Sequence, residues 1–114
     1  MKQKTIDIPI YTGKLTMFLD RDLSFIEAEY KTTSLKDYGA VVLNNHRHYI
    51  VAFTDKKHLS NIAHEAVHIK NSIFTDCGIQ LDLANDEAEA YLVGWLFEQI
   101  YEFFNEKNNN TNTI

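Results

Sequence analysis

Cysteine is all but missing. Cys77 is the only one in 114 residues, which excludes an intrachain disulfide framework and any zinc site built from cysteines alone. Basic residues are outnumbered, 11 Lys and Arg against 16 Asp and Glu, for a formal charge of −5. A surface with that balance is a poor match for phosphate, so no nucleic-acid partner is expected. Long apolar runs are also absent. Ala90 to Phe97 is the longest stretch of the C-terminal half without a charge or an amide, far short of the roughly 20 residues a membrane span needs. Met1 to Asp7 carries lysines with no apolar segment behind them, so neither a targeting segment nor a membrane partner is expected. A reduced, cytoplasmic setting follows as the expectation. One proline, four glycines and no repeat or linker complete the deficits.

The remaining composition, 45% apolar and 24% charged, is that of an ordinary globular chain. The length suits a single domain, expected over residues 1–106, with the polar stretch 107–114 as a disordered tail. Ile6, Ile8 and Ile10 alternate with Asp7 and Pro9 ahead of a turn signal at Gly13, and Leu15 to Leu19 follows. These read as two strands, the first pushed to an edge by Pro9. Asp20 to Tyr30 has the spacing of a short helix. Tyr38 to Leu43 and Arg47 to Thr54 are rich in β-branched and aromatic residues around Asn44-Asn45-His46, a hairpin signal.

Two long helices are expected next. In the first, from about Lys56 to Thr75, Leu59, Ile62, Ala63, Ala66, Val67, Ile73 and Phe74 fall on one apolar arc, with Gly78 as the stop. The second, from about Asp86 to Asn105 with Asn85 as its cap, is apolar nearly all round. That predicts burial on several sides or contact with a second copy. The fold class is therefore α+β: a small N-terminal antiparallel or mixed sheet of three to four strands, then the two helices.

The chemistry lies in His64-Glu65-Ala66-Val67-His68. Residues four apart sit one turn apart on the same helix face, so both imidazoles can point at one ion about 2 Å away. Glu65, about 100° round the helix, can reach a water held by that ion, so one rigid element supplies two ligands and a base. The competing reading makes His64, His68, Asn61, Asn71 and Ser72 the solvated face of an amphipathic helix. A catalytic zinc needs a third protein ligand and an open position, and the candidates are Asp86, Glu87 and Glu89. Glu87 ranks first because it shares a face with Tyr91, Gly94 and Glu98, and Gly94 would admit a neighbouring helix. Acidic residues also suit a helix's first turn without any metal.

His64-Glu65-x-x-His68 followed by Asn85-Asp86-Glu87-Ala88-x-Ala90-Tyr91-Leu92-x-Gly94-Trp95-Leu96 resembles the small zincin-like metallopeptidases of bacteriophages and prophages. Those proteins carry H-E-x-x-H and a later E-A-x-A-Y-L-x-G-Y-L-like segment. The resemblance implies a zincin-like minimal domain of the gluzincin type, working in the host cytoplasm if phage-encoded. It implies Zn²⁺ as cofactor, His64, His68 and Glu87 as ligands, and Glu65 as the general base that helps a zinc-activated water cleave an amide bond. The expected partner is a peptide or protein substrate. Zincins commonly hold an edge strand beside the active helix, and Arg47 to Phe53 is the candidate, with an ordinary core strand as its competing reading. Tyr91 is a candidate catalytic residue as oxyanion donor or ligand support, against simple core packing. His46, His48 and His58 read as surface or turn residues, and Cys77 as a small residue without a catalytic part. Two other readings stand: a zinc-binding interaction module without peptidase activity, self-associating through the apolar second helix, and an amidase acting on a non-protein amide.

Overall fold

The computed structural model describes residues 1–107, so the expected tail lies, apart from Lys107, outside the described residues. Four strands, β1 (Lys2–Asp7), β2 (Lys14–Leu19), β3 (Ala40–Asn45) and β4 (His48–Phe53), form one mixed sheet in the order β1-β2-β4-β3. The β1–β2 and β3–β4 pairs are antiparallel, and β2 runs parallel to β4. A parallel pair needs a crossover, and the chain from β2 to β4 makes it through α1 (Ser24–Tyr30) and then adds β3 as a hairpin partner on the outer edge. Helices α2 (Leu59–Cys77) and α3 (Glu87–Asn105) complete the chain.

Strands β2, β3 and β4 contribute to two cores, because successive side chains point to opposite faces, whereas β1 adds only Ile6 to the first. On one face Leu15, Met17, Tyr49, Val51 and Phe53 meet Ile62, Ala66, Ile69 and Ile73 of α2 and Leu92, Leu96 and Ile100 of α3. On the other, Phe18, Ile50 and Ala52 meet Leu23 and Ile26 around α1. Burying each such side chain contributes about 1.5–3 kcal/mol. The molecule is thus an α+β fold of three layers, with α1 below the sheet and the two long helices above it.

The connections differ in detail from the sequence expectation. β1 ends at Asp7, and Ile10 lies in the β1–β2 turn, fully in solvent and at φ 67°. The Ile8–Ile10 alternation does not continue the strand because the chain turns at Pro9, which has no N–H to give to a ladder. Gly13 closes that turn at φ 89°, where a Cβ would come within 2.6 Å of the Arg47 carbonyl. The β3–β4 turn is His46-Arg47, at φ 52° and 67°, while Asn44 and Asn45 stay paired to Tyr49 and His48. Positive φ at both central residues gives the twist a two-residue hairpin needs. Arg47 offsets its strain by donating from its guanidinium to the Tyr11 carbonyl at 2.8 Å and to Thr12 Oγ1 at 2.9 Å.

At its C-terminus α2 stops on Gly78, as expected. That residue is left-handed (φ 72°), and Ile79 N–H returns to the Phe74 carbonyl at 2.8 Å. The end is docked to the sheet by Asp76, which accepts from Tyr49 Oη at 2.6 Å and from Asn44 Nδ2 at 2.8 Å. The Tyr49 and Asn44 hydrogen bonds hold the Asp76 carboxyl below its ordinary value, while burial pushes the Tyr49 phenol well up. For α3 the cap position is Asp86 rather than Asn85, without a side-chain capping bond. Its C-terminal carbonyls, the negative end of the helix dipole, are met by Lys2 and Lys56.

The buried arc of α2 is turned from the expected one. Leu59, Ala63 and Val67 are exposed, and Glu65 and Lys70 are buried in their place. Lys70 is 2% exposed and pairs with Glu89 of α3, which is itself only partly exposed. A buried ion pair gains little over a well-packed apolar pair, but breaking it leaves a charge without compensation. Glu89→Ala is therefore expected to cost about 3–5 kcal/mol in urea unfolding, and Lys70→Met with Glu89→Leu to restore most of that loss.

Candidate metal centre

His64 and His68 lie outside the buried arc of α2, on the side that borders β3, and both are exposed. One helical turn brings their Nε2 atoms to 3.2 Å, with the rings at 70° to each other. Two nitrogens on one tetrahedral zinc, each about 2.0–2.1 Å from the ion, stand roughly 3.3–3.4 Å apart. The pair is thus set at the spacing a shared ion requires, with nitrogen donors of the right type. Glu65 is the third member of the cluster, all of whose ligand atoms fall within 4.8 Å of one another.

Glu65 is placed differently from its neighbours. It follows Ile62 by three residues and precedes Ile69 by four, so it shares the edge of the buried arc and is only 8% exposed. Its carboxylate stands 3.9 Å from His64 Nε2 and receives no hydrogen bond among the described residues. Burial raises its pKa above the ordinary carboxylate value, with the His64 and His68 charges acting in the opposite direction. The result is a desolvated base beside an imidazole pair, the environment that moves a carboxylate toward neutral pH.

The cluster opens on a groove of about 630 Å³ between α2 and β3. Tyr38, Ala40, Val42 and Asn44 form one wall, and His64, Glu65, His68 and Asn71 the other. β3 is an outer strand of the sheet, so the backbone groups on its free side have no neighbouring strand. The edge-strand candidate Arg47 to Phe53 is corrected here: β4 is interior and buried from Tyr49 to Phe53, as its competing core reading holds, and β3 is the strand beside the active helix.

The carboxylates of α3 are not brought to the imidazoles. Lys70 and His68 are two residues apart, so their side chains leave α2 about 200° apart. The Lys70–Glu89 pair fixes α3 on the Lys70 side. Glu87 is exposed and shares the outer face of α3 with Tyr91, 75% exposed, and with Gly94, where an added Cβ would meet nothing within 4 Å. Neither the face assignment of Glu87 nor the core placement of Tyr91 matches this geometry, and Asp86 is exposed as well. Elsewhere, His48 binds Thr16 Oγ1 at 2.6 Å, and His46 and His58 sit in a turn and at the start of α2. Lys70 is the residue that sequence reasoning misses. Its signal is a lysine between Ala66 and Ile73 at apolar spacing, with acids 16 to 19 residues later.

Comparison with protein-family models, with curated proteins and with solved structures finds no match for this chain.

Two outcomes follow from the geometry. In a zinc titration of chelator-treated protein, Glu87→Ala should leave affinity within about twofold, whereas His68→Ala should lose more than the roughly 10–100-fold typical of removing an outer-shell partner. In metal-free protein, Glu65 has a raised folded pKa, so its contribution to stability is full below the unfolded carboxylate value and is lost as pH rises through the folded one. Glu65→Gln should therefore stabilise the metal-free protein at neutral pH, with the gain shrinking on acidification toward the ordinary carboxylate pKa, as read from thermal unfolding at several pH values.

Proposed function

We propose that the chain is a zinc-dependent hydrolase that cleaves amide bonds in extended peptides. The observation that carries this reading is the desolvated Glu65 carboxylate, without a hydrogen bond among the described residues, beside two imidazole nitrogens 3.2 Å apart at the mouth of a groove walled by an outer strand. His64 and His68 would hold the ion. When bound, zinc supplies Lewis acidity and lowers the pKa of a coordinated water toward neutrality. Glu65 takes the proton of the attacking water and returns it to the leaving amine as the C–N bond breaks, as a base with a raised pKa is suited to do. The free edge of β3 binds the substrate backbone by strand addition, which fixes the peptide without demanding a sequence. The apolar Ala40 and Val42 and the amide of Asn44 would contact its side chains.

The third protein ligand named by the resemblance, Glu87, has no support in the geometry of the single chain. That observation favours a second reading, a zinc-binding module without hydrolysis.

Glu65→Gln separates the two. The amide is nearly isosteric and cannot accept a proton, so turnover of an unfolded protein or a peptide mixture should fall by about 10²–10⁴-fold, mainly in kcat, while zinc content stays at the wild-type level. Activity in the wild type should vanish with a chelator and return with zinc. Wild-type protein that holds zinc firmly but cleaves neither proteins, peptides nor simple amides leaves the binding-module reading. Zinc lost together with activity in Glu65→Gln would make Glu65 a ligand instead of a base.

A further inference from the structure

Along α2 from Leu59 to Thr75, none of the residues that face solvent carries a fixed charge; Asp76, beyond that stretch, is tied to Tyr49 and Asn44. Ser60, Ala63, His64, Val67, His68 and Asn71 make up most of that face, and the only ionised side chains between Leu59 and Thr75, Glu65 and Lys70, are buried. The chain is acidic, at −5, and the neighbouring outer face of α3 shows Glu87, Glu98 and Glu102. An outer helix face ordinarily carries charges opposite its apolar stripe, so a neutral stripe of small side chains centred on two imidazoles calls for a cause. A second feature points the same way. The two nitrogens are spaced for one ion, but no further ligand of the same chain joins them and Glu65 among the described residues. A tetrahedral zinc takes four ligands, and a two-fold axis through the ion would double two imidazoles to four.

We propose that a second copy of this chain is a partner of the site: two α2 outer faces pack across a two-fold axis, and His64 and His68 of both copies share one zinc ion. The contact is isologous, as symmetric dimers require. Small side chains let the helices approach, and the neutral face spares two like-charged molecules a repulsion at the point of contact. Four imidazoles leave no open coordination position, so this dimer is the closed form of the site proposed above. It rests on that reading only for the use of His64 and His68. Mass action then gives the pair a regulatory property. With about half an equivalent of zinc per chain the shared ion favours the dimer, and with excess zinc each chain takes its own ion and the dimer dissolves.

Sedimentation of the full chain, stripped of metal and titrated with zinc chloride, tests this without reference to activity. The expected course is monomer without metal, dimer maximal near half an equivalent, and monomer again in several-fold excess. His64→Ala and His68→Ala should stay monomeric throughout. Val67→Glu lies on the exposed stripe and replaces neither imidazole. It should bind one zinc per chain as the wild type does, yet weaken dimerisation by about tenfold or more, since it sets two like charges across the axis. Monomer at every zinc ratio overturns the proposal, as does a dimer that persists with chelator or in His68→Ala. One zinc per chain with hydrolysis and no dimer would sink this proposal and leave the hydrolase reading standing. A zinc-dependent dimer with no hydrolysis at excess zinc would do the reverse.

Discussion

The Lys70–Glu89 ion pair is the constraint from which the arrangement of the site follows. A lysine that is 2% exposed must have its charge met, because a desolvated ammonium without a partner costs several kcal/mol. Its partner stands on α3, so meeting that charge decides on which side of α2 the last helix lies. Once α3 occupies the Lys70 side, the imidazoles two and six residues earlier are turned to solvent. The same pairing therefore holds two helices together and keeps every acid of α3 away from the candidate metal centre.

The opposite edge of α2 is set by the sheet. β3 is the outermost strand, and β4 behind it is interior. The helix leans its Ile62–Ile69–Ile73 row into the core formed with Tyr49, Val51 and Phe53. Glu65 sits one step round from that row, deep enough to lose most of its water and close enough to the groove to meet what enters it. Its raised pKa is thus a consequence of packing rather than of a charged neighbour, since the imidazoles act in the opposite sense. The docking of Asp76 on Tyr49 and Asn44 ties the far end of the helix to the sheet.

The elements were largely legible in the sequence, and their packing was less so. Strand β2, the β3–β4 hairpin and both long helices follow from alternation and helical spacing, and Gly78 fills the left-handed stop its position demands. Ile10 misled because an apolar residue in an alternating series looks the same whether it continues a strand or stands exposed in a turn. The hairpin turn fell on His46-Arg47 instead of Asn44-Asn45-His46 because Arg47 gains bonds to Tyr11 and Thr12 from another segment, and a local propensity cannot register those. The imidazole pair and Glu65 were visible because they depend on the helical repeat alone. The side from which α3 approaches was not, since it hangs on Lys70, whose burial is a tertiary fact. An arc counted from apolar residues includes Ala63 and Val67 and omits Lys70 and Glu65, and that small rotation exchanges which face of α3 meets α2.

That rotation also explains how two apolar residues come to flank the imidazoles. With the buried arc centred on Ile62, Ile69 and Ile73, Ala63 and Val67 are left on the outside, next to His64 and His68. Exposing an isolated valine costs little and needs no explanation. A face that pairs it with uncharged polar residues, while Glu65 and Lys70 are turned inward and Asp76 is bound to Tyr49 and Asn44 at the far end, is a different matter. From Leu59 to Thr75 the helix has placed its ions where they are desolvated and left its outer surface neutral. Such an arrangement loses the solvation a surface helix normally keeps, and it gains a face on which a cation, rather than a salt bridge, can govern what binds.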